Sequence, residues 1–258
     1  QNRSFDTPRP TIIVSRAAPR SSVGSYGARQ MPSSAAAAPC ADGACVDGAL
    51  LREAAPSDLS ALARLVSEHE CLVSLRRDRP ALDVDHDRYA AIGAAYVAGV
   101  LRGELGSWDA CSQRYASMAS RLWVLEAEGR VIGSVGVVEQ TESVQHETSF
   151  ELVRMYVHRD HRRSGHGRRL LGRALAHARG SARVFLTTPS VNAPAVAFYQ
   201  SCGFAIEKTF SVTEADWGGL DLDLVEMVQL APATPPHGEQ DERVHAAQAP
   251  RATRKLEY

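Results

Sequence analysis

The chain has 258 residues, 44% of them hydrophobic, with 29 lysines and arginines against 30 aspartates and glutamates. That size fits one large domain or one medium domain with long tails, and the apolar content is enough for a real core. A formal net charge of −1 excludes a global pull toward nucleic acid or an anionic membrane, so charge-driven recognition must be local.

Residues 1–47 are rich in Ser, Ala, Pro and Gly without a sustained period, which predicts a disordered leader. Over residues 1–30, Arg3, Arg9, Arg16, Arg20 and Arg29 face one acid, Asp6, a balance also found in organellar transit peptides. Because the chain begins at Gln1, Met31 is an alternative start. Cys40, Cys45, Cys71, Cys111 and Cys202 are scattered and odd in number, the pattern of reduced thiols in a cytoplasmic protein. Cys40 and Cys45 have no second ligand pair beside them, so no metal is expected.

A folded domain is expected over 48–230. Ala49–Glu53 is a strand, and Pro56-Ser57-Asp58 opens a helix with Leu59, Leu62, Leu65 and Val66 on its apolar face. A second helix covers Arg88–Leu105; its uncharged run Ala90–Leu101 is shorter than the roughly 20 residues a bilayer needs. Strands Leu122–Ala127 and Arg130–Val138 flank Glu128-Gly129, a hairpin signal. The strand Phe150–His158 follows, then a helix over Gly165–Arg179 stopped by Gly180. Ala182–Thr187 is a strand, Asn192–Cys202 a short helix, and Phe204–Ser211 and Asp221–Leu230 close the domain. Residues 231–258, rich in Pro and charge, form a tail.

The chemistry-bearing stretch is RDHRRSGHGRRLLGRALAHA, from Arg159. Glycines at a helix start let backbone amides approach a ligand, and the positive end of the helix favours an anion. Arg162, Arg163, Arg168 and Arg169 add charge, opposed only by Asp160, so a pyrophosphate fits. A dinucleotide fingerprint needs G-x-G-x-x-G, but Leu170 holds the third glycine's place after Gly165 and Gly167, and no G-x-x-x-x-G-K-[ST] is present.

Arg162, Gly165 and Gly167, in R-x-x-G-x-G after Glu151–Val157, resemble the signature of the GNAT family of N-acetyltransferases. Asn192–Phe204, N-A-P-A-V-A-F-Y-Q-S-C-G-F, resembles that family's second motif, and the likeness runs over about residues 49–230. The resemblance implies an α/β fold of mixed α+β character. Its central sheet would have about seven strands, splayed at the acetyl-CoA site and flanked by about four helices. It implies that the loop Arg162, Arg163, Ser164, Gly165, His166, Gly167 and Arg168 cradles the pyrophosphate of acetyl-CoA through the amides of Arg163–Arg168. The backbone of Met155, Tyr156 and Val157 would pair with the pantetheine arm, Asn192 would contact the coenzyme, and Tyr199 would protonate the departing thiolate.

Acetyl transfer to an amine needs a neutral amine, a polarised carbonyl and a proton for the thiolate. Glu151 is the first candidate base, with Glu142 and Glu147 behind it. Strand parity puts Glu151 on the face of Val153, Met155 and Val157 unless a bulge re-aims it. His158, His161 and His166 read as loop polar groups without metal-ligand spacing, and Cys202 as a small helix-end residue.

In members that acetylate ribosomal protein N-termini, a glutamate stands where this chain has Thr187, which counts against that subclass. Glu68, Glu70, Asp83, Asp85, Asp87, Glu214 and Asp216, with Trp217, fall in the variable acceptor regions and would draw a cationic amine, although Arg76, Arg77 and Arg79 sit among them. The expected acceptor is a small amine, an amino acid or a peptide amine. Neither nucleic acid nor a membrane is expected as partner, and a homodimer is compatible with the sequence. The alternative is a regulatory module that binds acetyl-CoA without turnover.

Overall fold

In the computed structural model the described residues are 45–46, 48–141, 148–213 and 220–230. The strands are β1 (Cys45–Val46), β2 (Ala49–Glu53), β3 (Arg121–Ala127), β4 (Arg130–Thr141), β5 (Thr148–Val157), β6 (Arg183–Pro189), β7 (Ala205–Thr213) and β8 (Asp221–Leu230). The helices are α1 (Leu59–His69), α2 (Cys71–Asp78), α3 (His86–Arg102), α4 (Trp108–Arg114), α5 (His166–His177) and α6 (Ala193–Gln200). One sheet runs β1-β2-β3-β4-β5-β6-β8-β7. Among the described residues only β5 and β6 pair in parallel, across the crossover helix α5 that such a connection requires.

The mixed α/β architecture agrees with the expected one, with three additions. β1 falls within the stretch expected to be leader and pairs Cys45 with Leu50 and Val46 with Ala49. Helix α2 starts on Glu70, whose carboxylate accepts from the amides of Leu72 (2.7 Å) and Val73 (3.1 Å). Helix α4 starts on Ser107, whose hydroxyl accepts from the Ala110 amide at 3.1 Å. At eight and seven residues both are too short to show a clear period, and their caps do the specifying.

The predicted hairpin forms at Glu128 (φ 52) and Gly129 (φ 70), two left-handed residues in succession, as a tight two-residue turn demands. Gly180 and Gly203, also left-handed, stand just past α5 and α6.

The sheet is packed on both faces. Leu170, Leu171 and Ala174 of α5 cover Trp123, Leu125, Val135, Val137, Phe150 and Leu152. On the other face, Leu62, Val66, Val97, Val100 and Cys111 of α1, α3 and α4 cover Leu122 and Val124. β3 is thus apolar on both sides, which is why Leu122–Leu125 reads as an unbroken hydrophobic run. Among the described residues, no helix is long and apolar enough to cross a membrane.

Candidate active site

The site begins where β5 and β6 part. They pair only at Ser149–Arg183, Phe150–Val184 and Glu151–Phe185; β6 continues along β8 as far as Pro189. From Leu152 to Val157, β5 therefore keeps β4 on one edge and, among the described residues, has no strand on the other. Backbone amides and carbonyls left unpaired inside a sheet need partners, and an extended ligand supplies them in the manner of a strand. Two carbonyls on that stretch already accept from side chains: Val157 from Arg162 Nε at 3.0 Å and Arg154 from Ser134 Oγ at 2.8 Å.

Within the same stretch the β4–β5 register slips, with Gly136 opposite Val153 and Ser134 opposite Tyr156. The extra residue is Arg154, left-handed at φ 51. A non-glycine residue there is strained by roughly 1–2 kcal/mol, and the side chain is held in compensation. Arg154 meets Glu104 at 2.6 and 3.1 Å and donates to the Tyr96 hydroxyl at 2.5 Å, with both ionic side chains largely buried.

The bulge decides which residues share a face. Phe150, Leu152, Met155 and Val157 pack with α5, whereas Tyr156 packs with the α1–α3 cluster and Val153 lies against Tyr115 and Gly136. Strand parity alone had grouped Glu151 with Met155 and Val157; the bulge corrects this. Glu151 is half-buried, accepts from Gln140 Nε2 at 3.1 Å, and lies within electrostatic reach of Arg114, Arg154 and Glu226. Burial lifts its carboxyl above the ordinary range; Arg114, the Gln140 hydrogen bond and Arg154 oppose that lift.

Past Val157 the chain makes a 3-10 turn over Arg159–His161 and reaches α5 through Arg163 (φ 65) and Gly165 (φ 81), the residue capping the helix. A Cβ on Gly165 would meet nothing within 4 Å, so space permits other side chains there and backbone conformation selects glycine. The Arg162 amide bonds to Arg159 and the Arg169 amide to Gly165, leaving those of Arg163–Arg168 at the helix start without an intrahelical carbonyl. At Gly167 a Cβ would stand 3.5 Å from the Phe198 ring, so α5 begins close against α6.

The arginine side chains are more committed than their sequence suggests. Arg162 also pairs with Asp78 at 3.1 Å, Arg168 reaches Ser201 Oγ at 3.0 Å, and Arg169 reaches the Ala49 carbonyl at 2.8 Å. The turn's positive field remains, but the direct donors are chiefly backbone amides.

Asn192 precedes α6 and donates from Nδ2 to Thr188 Oγ1 at 3.3 Å. Tyr199 is 7% exposed, its ring edge-on to Phe198 and Phe204. Burial, with Cys202 nearby, raises its phenol well above the ordinary tyrosine range, and no described residue hydrogen-bonds its hydroxyl. Cys202 is half-buried beside Arg168 and Ser201.

Three of the acids expected to draw an amine are occupied elsewhere. Glu70 caps α2 and is buried, Asp85 caps α3, and Asp87 pairs with Arg76 at 2.7 Å. Glu68 and Asp83 are exposed; Glu142, Glu147, Glu214, Asp216 and Trp217 lie outside the described residues. The reading missed Glu104, which receives Arg154, Arg114 (3.1 Å) and Tyr115 (3.2 Å) together. Its one sequence signal was an arginine inside the apolar run of β5. The reading also missed His69, stacked edge-on against His158 at 4.7 Å, from which rings continue through His161 to His166.

Fold and site together define an α/β protein whose glycine-capped helix start lies beside the stretch where β5 parts from β6. Residues 85–204 match the model of the Acetyltransferase (GNAT) family. Human N-acetyltransferase 8 is 33% identical over 98 residues, covering 37% of this chain and 43% of that protein. Human N-acetyltransferase 8B is 30% identical over 141 residues, covering 54% and 60%. The chain thus spans about half the length of the curated relatives it matches. A GNAT acetyltransferase from Streptococcus pneumoniae is 21% identical with a TM-score of 0.49, covering 71% of this chain and 99% of that one.

Proposed function

We propose that the chain is an N-acetyltransferase that uses acetyl-CoA and acetylates a primary amine. The observation that carries this is the pair of features set side by side: the unpaired stretch of β5 from Leu152 to Val157, and the left-handed glycine cap of α5. They suit a ligand with an extended amide-bearing arm and a phosphate end. The residues fit that ligand, since the amides of Arg163–Arg168 converge at a helix start and Met155 and Tyr156 lie on the opened stretch.

When bound, acetyl-CoA supplies the thioester whose acetyl group is transferred. Glu151, on the face opposite α5, is the base that takes the ammonium proton, directly or through water. Its burial makes it a stronger base than a surface carboxylate. Tyr199 holds its proton at ordinary pH, as an acid for the thiolate must. The acceptor class is a small amine, an amino acid or an exposed peptide amine. The N-acetyltransferase names of the relatives support the amine reading.

Thermal stabilisation by acetyl-CoA tests the donor, because a ligand bound only by the folded state raises apparent stability by mass action. The wild-type chain is expected to shift and Gly165→Glu is not; no wild-type shift at saturating acetyl-CoA sinks the reading. A second reading, a binding module without turnover, is favoured by the packing of Tyr199 between Phe198 and Phe204. A panel of amines with acetyl-CoA separates the two, since the module stabilises without releasing free thiol.

A further inference from the structure

Away from the proposed acetyl-transfer residues, the last turn of α1 meets the end of β5 in a group of donors that the amine chemistry does not use. Glu68, His69 and His158 each offer a ligand atom, and these atoms lie within 4.8 Å of one another. His69 is 5% exposed, and neither of its ring nitrogens has a hydrogen-bond partner among the described residues. Leaving a buried polar group unpartnered is costly, so the ring calls for a ligand. Its Nε2 stands 3.8 Å from the Glu68 carboxylate, which is exposed enough to change rotamer.

We propose that Glu68, His69 and His158 bind a divalent transition-metal ion of the zinc class. Two imidazoles and one carboxylate suit zinc or cobalt over calcium or magnesium, which take oxygen donors. Metal–ligand bonds of about 2.0–2.1 Å bring tetrahedral donors to roughly 3.4 Å apart, so the 4.8 Å group must close by up to about 1.4 Å, part of which rotation of the exposed Glu68 side chain can supply. The Asp160 amide donates to His158 Nδ1 at 3.4 Å and the Asp160 carboxylate stands 3.8 Å from the same nitrogen, so an ion on Nε2 would require Nδ1 to turn donor toward that carboxylate. A solvent-open cavity of about 440 Å³, lined by Glu68, His158, Asp160 and His161, gives the ion a path in. Arg77 and Arg162, the guanidinium groups near His69, both pair with Asp78, at 2.9 and 3.1 Å, which offsets their repulsion of a cation. An ion there would pin α1 to the segment that leads into the turn at Gly165. Because the donors come from positions 68–69 and 158, no spacing motif announces them.

The test is titration of the metal-stripped full chain with Zn²⁺ by calorimetry, and with Co²⁺ by visible absorption. One ion per chain is expected, with tetrahedral cobalt bands and no thiolate charge transfer. Both Glu68→Gln and His158→Gln lie at the edge of the fold and are expected to weaken Zn²⁺ by at least about tenfold. Circular dichroism of the two variants should match wild type. Zn²⁺ affinity unchanged in both variants overturns the proposal, as does a thiolate band, which would place the ion on cysteine, or no binding by the wild-type chain.

Discussion

Arg154 adopts a left-handed backbone at φ 51 and places its guanidinium 2.6 Å from the carboxylate of Glu104, both side chains nearly out of solvent. The pair joins the segment after α3 to the bulge in β5, and so fixes which side chains of that strand face the acceptor side.

Breaking it should be costly. Glu104→Gln leaves the Arg154 charge buried without a counter-ion, and a loss of about 3–5 kcal/mol is expected in urea unfolding. Replacing both residues, Glu104→Leu with Arg154→Met, should lose less than the single change, because neither charge is then stranded. A double variant at least as unstable as Glu104→Gln would show that the pair's geometry, and not its charge balance, matters.

Two glycines of the same helix should respond with opposite signs. Gly165 is left-handed at φ 81, so Gly165→Ala should cost about 1 kcal/mol by strain alone. Gly172 lies mid-helix, exposed, with nothing within 4 Å of an added Cβ, and Gly172→Ala should gain about 0.5–1 kcal/mol. Thermal unfolding of the two variants reads the difference; equal shifts would count against conformation as the reason for Gly165.

As the proposed base, Glu151 should make stability and turnover depend on pH in opposite senses. Burial lifts its folded-state pKa above the unfolded value, so the unfolded chain gives up this proton first as pH rises. Its contribution to stability is therefore intact below the ordinary glutamate value near 4.3 and declines as pH climbs through the lifted one. Glu151→Gln should be more stable than wild type at pH 8, with that advantage gone at pH 4, by urea midpoint. Turnover should fall about 10²-fold and lose its rising limb with pH. A variant that keeps that limb would exonerate Glu151 as the base.

Tyr199→Phe removes a hydroxyl that no described residue hydrogen-bonds while keeping the ring packed on Phe198 and Phe204, so stability should be nearly unchanged. If the phenol is the acid, kcat should drop by about 10²-fold with the KM for acetyl-CoA unchanged. Full activity in the variant would leave Tyr199 as core packing alone.

What the sequence disclosed was local in origin. Glu128-Gly129 specified its hairpin because two adjacent left-handed residues carry their own instruction, and Gly180 and Gly203 ended their helices for the same reason. The glycine cap at Gly165 and the helix behind it were legible on the same grounds. The bulge at Arg154 was not, since it depends on Glu104 and Tyr96, about fifty positions away. Nor could the sequence show that Glu70 and Asp85 cap helices, because a capping carboxylate and one that attracts substrate are the same residue type. His69 lay hidden for a related reason: it ends α1, and its partner ring, His158, lies just past β5, far along the chain.

The parting of β5 from β6 has a consequence for the whole sheet. Strands β1–β5 form one leaf and β6–β8 the other, joined edge to edge by three residue pairs from Ser149 to Glu151, like covers on a short spine. A donor lying in the opening would act as a rung between the leaves as well as a reactant. Departure of the spent coenzyme would then take a structural member with it, so each catalytic cycle would loosen and re-brace the protein's central seam.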